Sequence, residues 1–338
     1  MKKLLLSLLA STIYTSVVSA QTCQQPPSCE SLGYTKSVDD CGDMEYLTCP
    51  FDSSKVYCSG GSGSDEYGDA IVVEITITDA GSVAFGYGYG DITVDCGNGI
   101  EVQGKTSSTS SVKCSYTSAG NYTVKLTGSF TYYKGNDKTY NLIKLNKKNI
   151  TKMESVCSTT TTGTIPSLPS TLVDATKMFY NCRNLTTNGL VLPEKLEIAD
   201  YMFYTARGIR GEIKLPSTLK SATYMFYETR DISIIGLENT QITDGEYMFA
   251  FSTVTSVSGL PKILINGSNM FIMGTGLTIL PELPQTLSYA SFMFRGCSNL
   301  TGTLPNYSNY PNLEVTSHMF FSTQITQEDN PTWPEEAW

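Results

Sequence analysis

Histidine is almost absent from this 338-residue chain, since His318 is the only one. Catalytic arrangements of the Ser-His-Asp or Cys-His kind need a histidine base, and His318 stands beside a repeated Met-Phe pair, where we expect a structural role. No two cysteines have the C-x-x-C spacing of a zinc site. No lysine of a phosphate-binding loop follows the glycine-aromatic stretch at 86–90. Although a carboxylate pair is possible in principle, the sequence predicts no enzymatic activity, no cofactor and no metal site.

Charged residues are also few. Asp, Glu, Lys and Arg make up 16% of the chain, and the formal net charge is −9. Nucleic acids and anionic membrane surfaces attract clusters of Lys and Arg, so this balance argues against both as partners. We expect the partner to be a neutral or basic macromolecule, either a protein or a glycan.

Long apolar runs are missing too. The N-terminal run at 4–10 is far shorter than the ~20 residues that a transmembrane helix needs. Lys2 and Lys3 precede this run, and Val-Ser-Ala at 18–20 follows it, which is the pattern of a cleaved signal peptide. We therefore predict that residues 1–20 direct export, and that the mature protein is secreted or lies on the cell surface without membrane insertion.

Ten cysteines agree with an oxidising compartment. Five of them lie in the segment 21–59, which is too short to bury a core of its own, so we expect disulfides to stabilise it. These five are Cys23, Cys29, Cys41, Cys49 and Cys58. Because their number is odd, one of them pairs outside the segment or stays free. Residues 60–69 begin with a Gly-Ser run and are predicted to form a flexible linker.

Residues 70–148 alternate and are rich in branched and aromatic residues, which is the pattern of β-strands. The segments 94–99 and 116–124 resemble the turn and the Y-x-x-x-G-x-Y-x-V strand of polycystic-kidney-disease-type β-sandwiches. The chain departs from that family at Cys96, where an aromatic residue is usual, and at Asn98, where Asp is usual. The resemblance implies a β-sandwich that serves as a spacer or presentation module. It also suggests that Cys96 and Cys114 form a disulfide between the sheets in place of the aromatic packing.

The second half of the chain is a repeat, in which seven Met-Phe pairs follow one another at steps of 22 to 26 residues. The residues three before and four after each Met are small, and the residue seven after it is mostly branched and apolar. These offsets lie on one face of a 3.6-residue period. Each unit is therefore expected to contain a turn or two of helix-like backbone that buries Met and Phe. The pairs begin at Met178, Met202, Met225, Met248, Met270, Met293 and Met319.

Short extended runs at 190–193, 213–216 and 279–281 each end in proline and predict one strand per unit. One turn and one strand in 20–29 residues is typical of a leucine-rich-repeat solenoid. The units have the form M-F-x-x-C-x-x-L…L-P-x-x-L-x-x-A-x-x-M-F. They resemble the BspA-like leucine-rich repeats of bacterial surface proteins, in the Met-Phe class also found in Mycoplasma lipoproteins. That resemblance implies adhesion to host proteins or to other bacteria.

The predicted fold class is mainly β. A small Cys-rich N-terminal segment and the β-sandwich precede a right-handed leucine-rich-repeat solenoid over 149–325, and 326–338 form a C-terminal tail or cap. No single unit can bury its Met-Phe face alone, so stacking of the units is what we expect to stabilise the fold.

Three cysteines belong to the repeats. Cys182 and Cys297 are five coils apart, which is ~24 Å at ~4.8 Å per coil and beyond disulfide reach, so we expect Cys297 to be a buried thiol. Met153 and Cys157 have the same spacing as Met178 and Cys182, which predicts a degenerate first coil. Cys157 and Cys182 would then be parallel and in register, a geometry that we expect to disfavour a disulfide.

The residue before each Met lies off the buried face. In three successive units it is Tyr201, Tyr224 and Tyr247, which are predicted to stack into an aromatic ladder that binds a partner or only seals the coil edges. Lys214 and Thr278 stand between inward-facing strand residues, and we expect them to contact the partner on a concave face. Two alternatives stay open. In the first, the chain is a non-binding structural or display scaffold. In the second, it is a glycan-binding accessory module, a function that an exposed aromatic platform would favour.

Overall fold

The computed structural model describes residues 46–49, 52–58, 67–86, 90–107, 110–135, 141–145, 147–187 and 189–338. The predicted signal peptide, the Gly-Ser run at 60–64 and Cys23, Cys29 and Cys41 lie outside these ranges. The chain divides into two compact units, Met1–Glu66 and Tyr67–Trp338. In the first unit, strand β1 (Tyr46–Cys49) pairs antiparallel with β2 (Asp52–Cys58).

The second unit begins with a β-sandwich. Its strands are β3 (Ile71–Ile77), β4 (Gly81–Phe85), β5 (Gly90–Asp95), β6 (Glu101–Thr106), β7 (Val112–Tyr116), β8 (Gly120–Gly128) and β10 (Asn141–Lys144), and β9 (Tyr132–Lys134) lies between the last two in the chain. One sheet has five antiparallel strands in the order β10-β3-β8-β5-β6, and β4 and β7 pair as the other. The adjacent inner strands β3 and β8 supply much of the core, because Ile71, Val73, Val124 and Leu126 are at most 1% exposed.

A disulfide links the two sheets. Cys96 directly follows β5 of the larger sheet, and Cys114 lies in β7 of the smaller one. The structure joins them with their Cα atoms 5.7 Å apart, and both are fully buried. The Tyr116 hydroxyl donates to the Cys96 carbonyl oxygen at 3.1 Å, so the surrounding core is also tied to this point.

Replacing both Cys96 and Cys114 with alanine is expected to lower the free energy of unfolding by about 3 kcal/mol, because the bond closes a loop of 18 residues. Urea unfolding of the oxidised proteins measures the difference. The exposed neighbour Ser115 provides a control, since Ser115→Ala should change stability by less than about 0.5 kcal/mol. Equal stabilities of the double variant and the parent would contradict the prediction.

The sandwich continues into the repeat region through a parallel strand pair. Strand β9 pairs with β11 (Lys152–Glu154), which begins the solenoid. The Tyr132 hydroxyl and the Lys134 ammonium both donate to Glu154 at 2.7 Å. Burial alone would raise the pKa of Glu154, but these two donors hold that pKa below its usual value. The buried Lys147 ammonium adds an ion pair with Asp69, 3.4 Å away at the start of the sandwich.

The repeats stack as a solenoid, so the predicted mainly β fold with a repeat solenoid is confirmed. Its strands are β12 (Thr162–Thr164), β13 (Asn184–Thr186), β14 (Gly211–Lys214), β15 (Ile232–Ile235) and β16 (Ser256–Val257). Strands one coil apart pair in parallel, β12 with β13, β14 with β15, and β15 with β16. A second ladder of bridges joins the residues four positions before successive Met residues, such as Asp174 to Ile198 and Ile198 to Ser221.

Met and Phe of every pair form the solenoid core, as predicted. All seven Met and all seven Phe side chains are at most 1% exposed. The Phe rings stack in a column with centroids 5.1–5.8 Å apart. The small residue three before Met is needed for contact between coils, because a Cβ on Gly245 would lie 3.0 Å from the Met270 sulfur of the next coil.

The prediction of helix-like backbone around Met-Phe was wrong. The Met-Phe segments are consecutive turns. All helices among the described residues are short 3-10 helices outside these segments, namely Leu237–Asn239, Tyr307–Asn309 and Glu335–Ala337. The residue before each Met is left-handed, with φ between 54° and 59°. The second residue after each Phe is left-handed as well, for example Asn181 and Thr205. A left-handed residue interrupts a right-handed helix, yet the turns between keep Met and Phe on one face.

One of the three predicted strand runs was also wrong. The strand of the first Met-Phe unit is β13, and residues 190–193 lie beyond it without pairing. Successive side chains of this run still alternate between core and solvent, since Leu192 is buried while Val191 is 77% exposed. In the next unit Ile213 and Lys214 do pair, within β14, and Ile279 forms a single bridge with Thr301.

Cys157 and Cys182 form a disulfide, with Cα atoms 5.9 Å apart, against our expectation. The reason is a shift of register in the first coil. The Met153 amide donates to Asp174 as the Ala175 amide donates to Ile198. Met153 therefore occupies the position of the small residue and not that of Met178. Cys157 and Cys182 are consequently not at equivalent positions. Cys297 is free and buried, as expected, and burial raises the pKa of its thiol to about 12.

A threonine in the P-x-T-L turns joins successive coils. Thr171 donates to the Ile150 carbonyl at 2.7 Å, Thr218 to Glu194 at 2.8 Å and Thr286 to Lys262 at 3.1 Å. The repeated turn therefore has a structural role, in which one side-chain hydroxyl satisfies a backbone acceptor of the coil before it.

Candidate functional site

The predicted tyrosine ladder exists on the turn side of the solenoid. Tyr201, Tyr224 and Tyr247 are half-buried, and each occupies the left-handed position before Met. Tyr201 and Tyr224 stack with centroids 4.9 Å apart and planes 5° apart, and Tyr224 and Tyr247 at 4.6 Å and 8°. This backbone turn sets the side chain beside the buried face, so the ring covers the coil edge while its tip reaches solvent.

A second tyrosine column runs beside the first one, and the sequence reasoning missed it. Tyr180, Tyr204 and Tyr227 each follow the Phe of a Met-Phe pair and stack at 4.9 Å and 4.6 Å, both with planes 10° apart. The signal was present, because the last letter of Y-M-F-Y is three residues after the first, and residues three apart in a turn lie side by side. We call the six tyrosines of the two columns the tyrosine panel.

The columns contact each other in a herringbone arrangement. Tyr201 and Tyr204 are 5.8 Å apart with planes at 48°, and Tyr224 and Tyr227 are 5.8 Å apart at 42°. At the end of the first column, the Lys177 ammonium lies 5.5 Å over the Tyr201 ring. Neighbouring rings therefore occupy most ring faces, and the panel presents ring edges and hydroxyls to solvent. Sugar stacking needs an open ring face, so this geometry does not favour a glycan platform.

The pKa values of Tyr201, Tyr204, Tyr224 and Tyr227 are raised, so these four hydroxyls stay protonated at physiological pH. Burial, followed by the neighbouring Tyr247 and Tyr201 and by Glu246, raises the pKa of Tyr224 to about 12. Burial and Asp200 raise the pKa of Tyr201. A neutral phenol is both a donor and an acceptor. None of the six hydroxyls forms a hydrogen bond within the part of the chain that the structure describes, so the panel offers six phenols to a partner.

Carboxylates border the panel. The pKa of Glu246 is raised by its own burial and by Asp244 nearby. The Asp200 carboxylate accepts from the Ser221 hydroxyl at 2.7 Å and the Thr223 amide at 2.9 Å. Glu228 forms an ion pair with Arg207. The border is therefore mainly acidic, with basic groups at Lys177 and Arg207.

Lys214 and Thr278 lie elsewhere. Both are exposed, as expected, but Lys214 ends β14 and Thr278 directly precedes the bridge residue Ile279, so neither belongs to the turns that carry the panel. The Thr278 carbonyl accepts from the Thr301 amide at 2.9 Å, so its backbone is part of the ladder. The two residues are three coils apart, which is roughly 14 Å at the usual strand spacing. The structure therefore does not bring them together into one site.

Aromatic and cationic side chains continue along the turn side beyond the panel. His318 takes the position before Met that Tyr holds in other coils, and it stacks on Phe292 at 5.5 Å. The Arg295 guanidinium lies 5.2 Å over Phe292 and 5.3 Å over Phe321. The ring of His318 therefore makes a packing contact with Phe292, which agrees with the structural role expected for His318.

Within the described ranges, no group of three or more His, Cys, Asp or Glu side chains could hold a metal ion. No helix in the same ranges is long and apolar enough to cross a membrane.

Fold and surface together define a mainly β solenoid with two columns of half-buried tyrosines on its turn side. Residues 175–301 match the BspA type leucine rich repeat region, in six copies. No curated protein and no solved structure matches the chain significantly. Repeat proteins of the BspA type are commonly surface proteins involved in binding, and such solenoids are typically non-enzymatic scaffolds.

Proposed function

We propose that this protein is a secreted or surface-exposed binding protein, which recognises another macromolecule through the turn side of its solenoid and serves in adhesion. The tyrosine panel is the observation that supports this most directly. Tyrosine is enriched in interfaces because it combines a large contact area with a polar tip and few rotatable bonds. Six half-buried tyrosines whose hydroxyls have no partner in the described residues form a rigid, pre-ordered surface of that kind.

The other parts of the chain are assigned supporting roles in this proposal. Residues 1–20 direct export, and the disulfides Cys96–Cys114 and Cys157–Cys182 suit an oxidising exterior. The sandwich at 70–148, with its polycystic-kidney-disease-like pattern, serves as a spacer or presentation module. Residues 326–338 close the last coil. The chain acts without catalysis, since its binding surface carries phenols and carboxylates but no nucleophile with a histidine base.

Two other assignments compete with the panel. The strand side, with Lys214 and Thr278, is the alternative binding surface, because solenoids commonly use a concave strand face. A non-binding display scaffold is the alternative function, because stacked tyrosines also seal coil edges. The panel is favoured because ring stacking orders its tyrosines into one continuous surface, whereas Lys214 and Thr278 lie three coils apart.

Surface substitutions in residues 21–338 separate these assignments. Purified extracellular-matrix proteins and intact bacterial cells serve as ligands, and retention of the labelled protein is measured. We expect Tyr204→Ala with Tyr224→Ala to weaken retention at least tenfold, as at interface hot spots, and Lys214→Ala with Thr278→Ala to leave it unchanged. The opposite pattern would move the site to the strand side. Retention that neither variant changes, or no retention by the parent, would contradict the proposal and favour a scaffold.

A further inference from the structure

We propose that the tyrosine panel binds an extended proline-rich segment of a protein, in the polyproline II conformation and flanked by basic residues. This inference rests on the proposed function, and it names the chemistry of the partner. It follows from four properties of the panel. These are the groups that it exposes, its already hydrogen-bonded backbone amides, the spacing of its rings and the charge around it.

The exposed groups are hydrogen-bond donors and ring edges. The rings stack face to face at 4.6–4.9 Å within each column, so a ligand cannot lie between them. The hydroxyls remain, without partners among the described residues. A polyproline II chain has no internal hydrogen bonds, so its carbonyl oxygens are free to accept from donors of this kind. Its proline rings also pack against aromatic side chains, as in the aromatic-lined grooves that bind proline-rich peptides.

The backbone of the panel excludes strand addition. A partner that adds a β-strand needs a sheet edge with free amides and carbonyls. Here the Tyr201 amide donates to Thr223 at 2.9 Å and the Tyr224 amide to Glu246 at 3.4 Å, both in the following coil. The Tyr204 amide donates to Tyr201 at 3.2 Å within the turn. These amides are used inside the solenoid, so side chains must make the contacts.

The spacing fits one kind of extended chain. Both columns step by 4.9 Å and then by 4.6 Å. Two steps come close to the ~9.3 Å rise of one polyproline II turn, which is three residues at about 3.1 Å each. Residues three apart in the ligand would therefore meet equivalent tyrosines two coils apart. A β-strand repeats its side-chain direction every ~6.7 Å and an α-helix its turn every ~5.4 Å, and neither keeps step with the coils.

The charge around the panel favours basic ends on the ligand. Asp200 and Glu246 lie close enough to Tyr201 to affect the pKa of its phenol, and Glu228 affects that of Tyr204. The formal net charge of the chain is −9. Arg or Lys beside the proline run would meet these carboxylates, whereas acidic residues there would be repelled.

A second copy of the chain fits less well than such a peptide. A symmetric dimer would place the same patch of both copies face to face. The carboxylates Asp200 and Glu246 of each copy would then lie near those of the other. The stacked rings also leave no slot into which a second set of rings could insert. Size-exclusion chromatography at several protein concentrations tests whether such a dimer forms.

The test measures binding of fluorescent peptides to residues 21–338 by anisotropy. The probe is a proline run with arginines at both ends. The controls are the same run with glutamates at the ends, and a Gly-Ser run of equal length with arginines. We expect the probe to bind at least tenfold more tightly than either control. Saturable binding should weaken as salt rises, because salt screens the charged ends.

Variants locate the site without disturbing the stacks. Tyr204→Phe with Tyr224→Phe keeps both rings and removes two donors, so affinity for the probe should fall about tenfold. Glu246→Gln should weaken the arginine-flanked probe about threefold and bring it closer to the glutamate-flanked control. Tyr289→Phe is the matched control, because this exposed tyrosine lies outside the panel, and it should bind like the parent.

The outcomes separate this inference from the proposed function. Equal binding of the probe and both controls, or full binding by the double Phe variant, would overturn the polyproline assignment. Retention of matrix proteins or cells that still depends on Tyr204 and Tyr224 would then leave the proposed binding function intact with a different ligand. A concentration-dependent dimer that the double Phe variant abolishes would instead identify a second copy as the occupant and overturn the inference.

Discussion

Replacing Met225 with alanine is expected to lower the free energy of unfolding by about 2–5 kcal/mol. The Met225 side chain is fully buried in a middle coil and has packed coils on both sides, so its removal leaves a cavity that the stack cannot close. In a solenoid each unit is stable through its contacts with its neighbours, and a cavity in the middle weakens two of these contacts. Urea unfolding followed by circular dichroism gives the difference in free energy.

Met273→Ala is the matched control for that measurement. Met273 belongs to the following repeats but is 48% exposed, and its backbone is left-handed, with φ 57°, like other residues two after Phe. The substitution removes the same atoms from a surface site, so we expect a loss below about 0.5 kcal/mol. If Met225→Ala were as mild as Met273→Ala, the assignment of Met225 to a tightly packed core would be wrong.

The Met-Phe core could be predicted because its signal is repeated and simple. In the repeat pattern, the residues three before and four after each Met are small. Such residues lie at the contacts between coils, as Gly245 against Met270 shows. A repeat needs the same packing in every coil, so chance similarities average out over seven copies. The predicted solenoid followed from that regularity and not from any single residue.

The local backbone could not be predicted in the same way. Turns joined by left-handed residues place Met and Phe on one face just as a helix would, so the apolar pattern does not distinguish them. Glycine usually marks left-handed positions, but here Tyr224, Glu228 and Lys177 occupy them. Hydrogen bonds from these turns to the next coil hold that conformation, for example from the Phe226 amide to Met248 at 2.8 Å. Such tertiary bonds are invisible in a short sequence window.

The candidate site was half visible from the sequence. Tyr201, Tyr224 and Tyr247 were found because they share one offset from Met, and the structure stacks them. Tyr180, Tyr204 and Tyr227 share another offset, which the sequence prediction does not include. The disulfide Cys157–Cys182 contradicts the sequence prediction for a related reason, because equal spacing does not imply equal register. Spacing shows that two residues recur, whereas register depends on which amide meets which carbonyl.

The end of the solenoid has its own stabilising contacts. The His318 amide donates to the Glu336 carbonyl at 2.5 Å and the Phe320 amide to Ala337 at 2.8 Å, so the last residues of the chain continue the ladder by one more step. Trp333 is 3% exposed and packs edge-on against Phe320, with ring centroids 5.5 Å apart. Terminal coils of solenoids need such a cover, because their apolar face would otherwise meet water.

Trp333→Ala is therefore expected to cost about 3–5 kcal/mol of stability. Besides the apolar contact, it removes the hydrogen bond from the indole Nε1 to the Pro305 carbonyl at 2.9 Å. Trp333→Phe keeps most of the ring area and should cost less, about 1–2 kcal/mol. Glu328→Ala, at an exposed position of the same C-terminal segment, should cost almost nothing. Hydrogen exchange resolves where the loss falls: protection should drop first at the Phe320 amide and spread towards Phe294. Uniform loss of protection in every coil at once would contradict a terminal cap and indicate a solenoid that unfolds only as a whole.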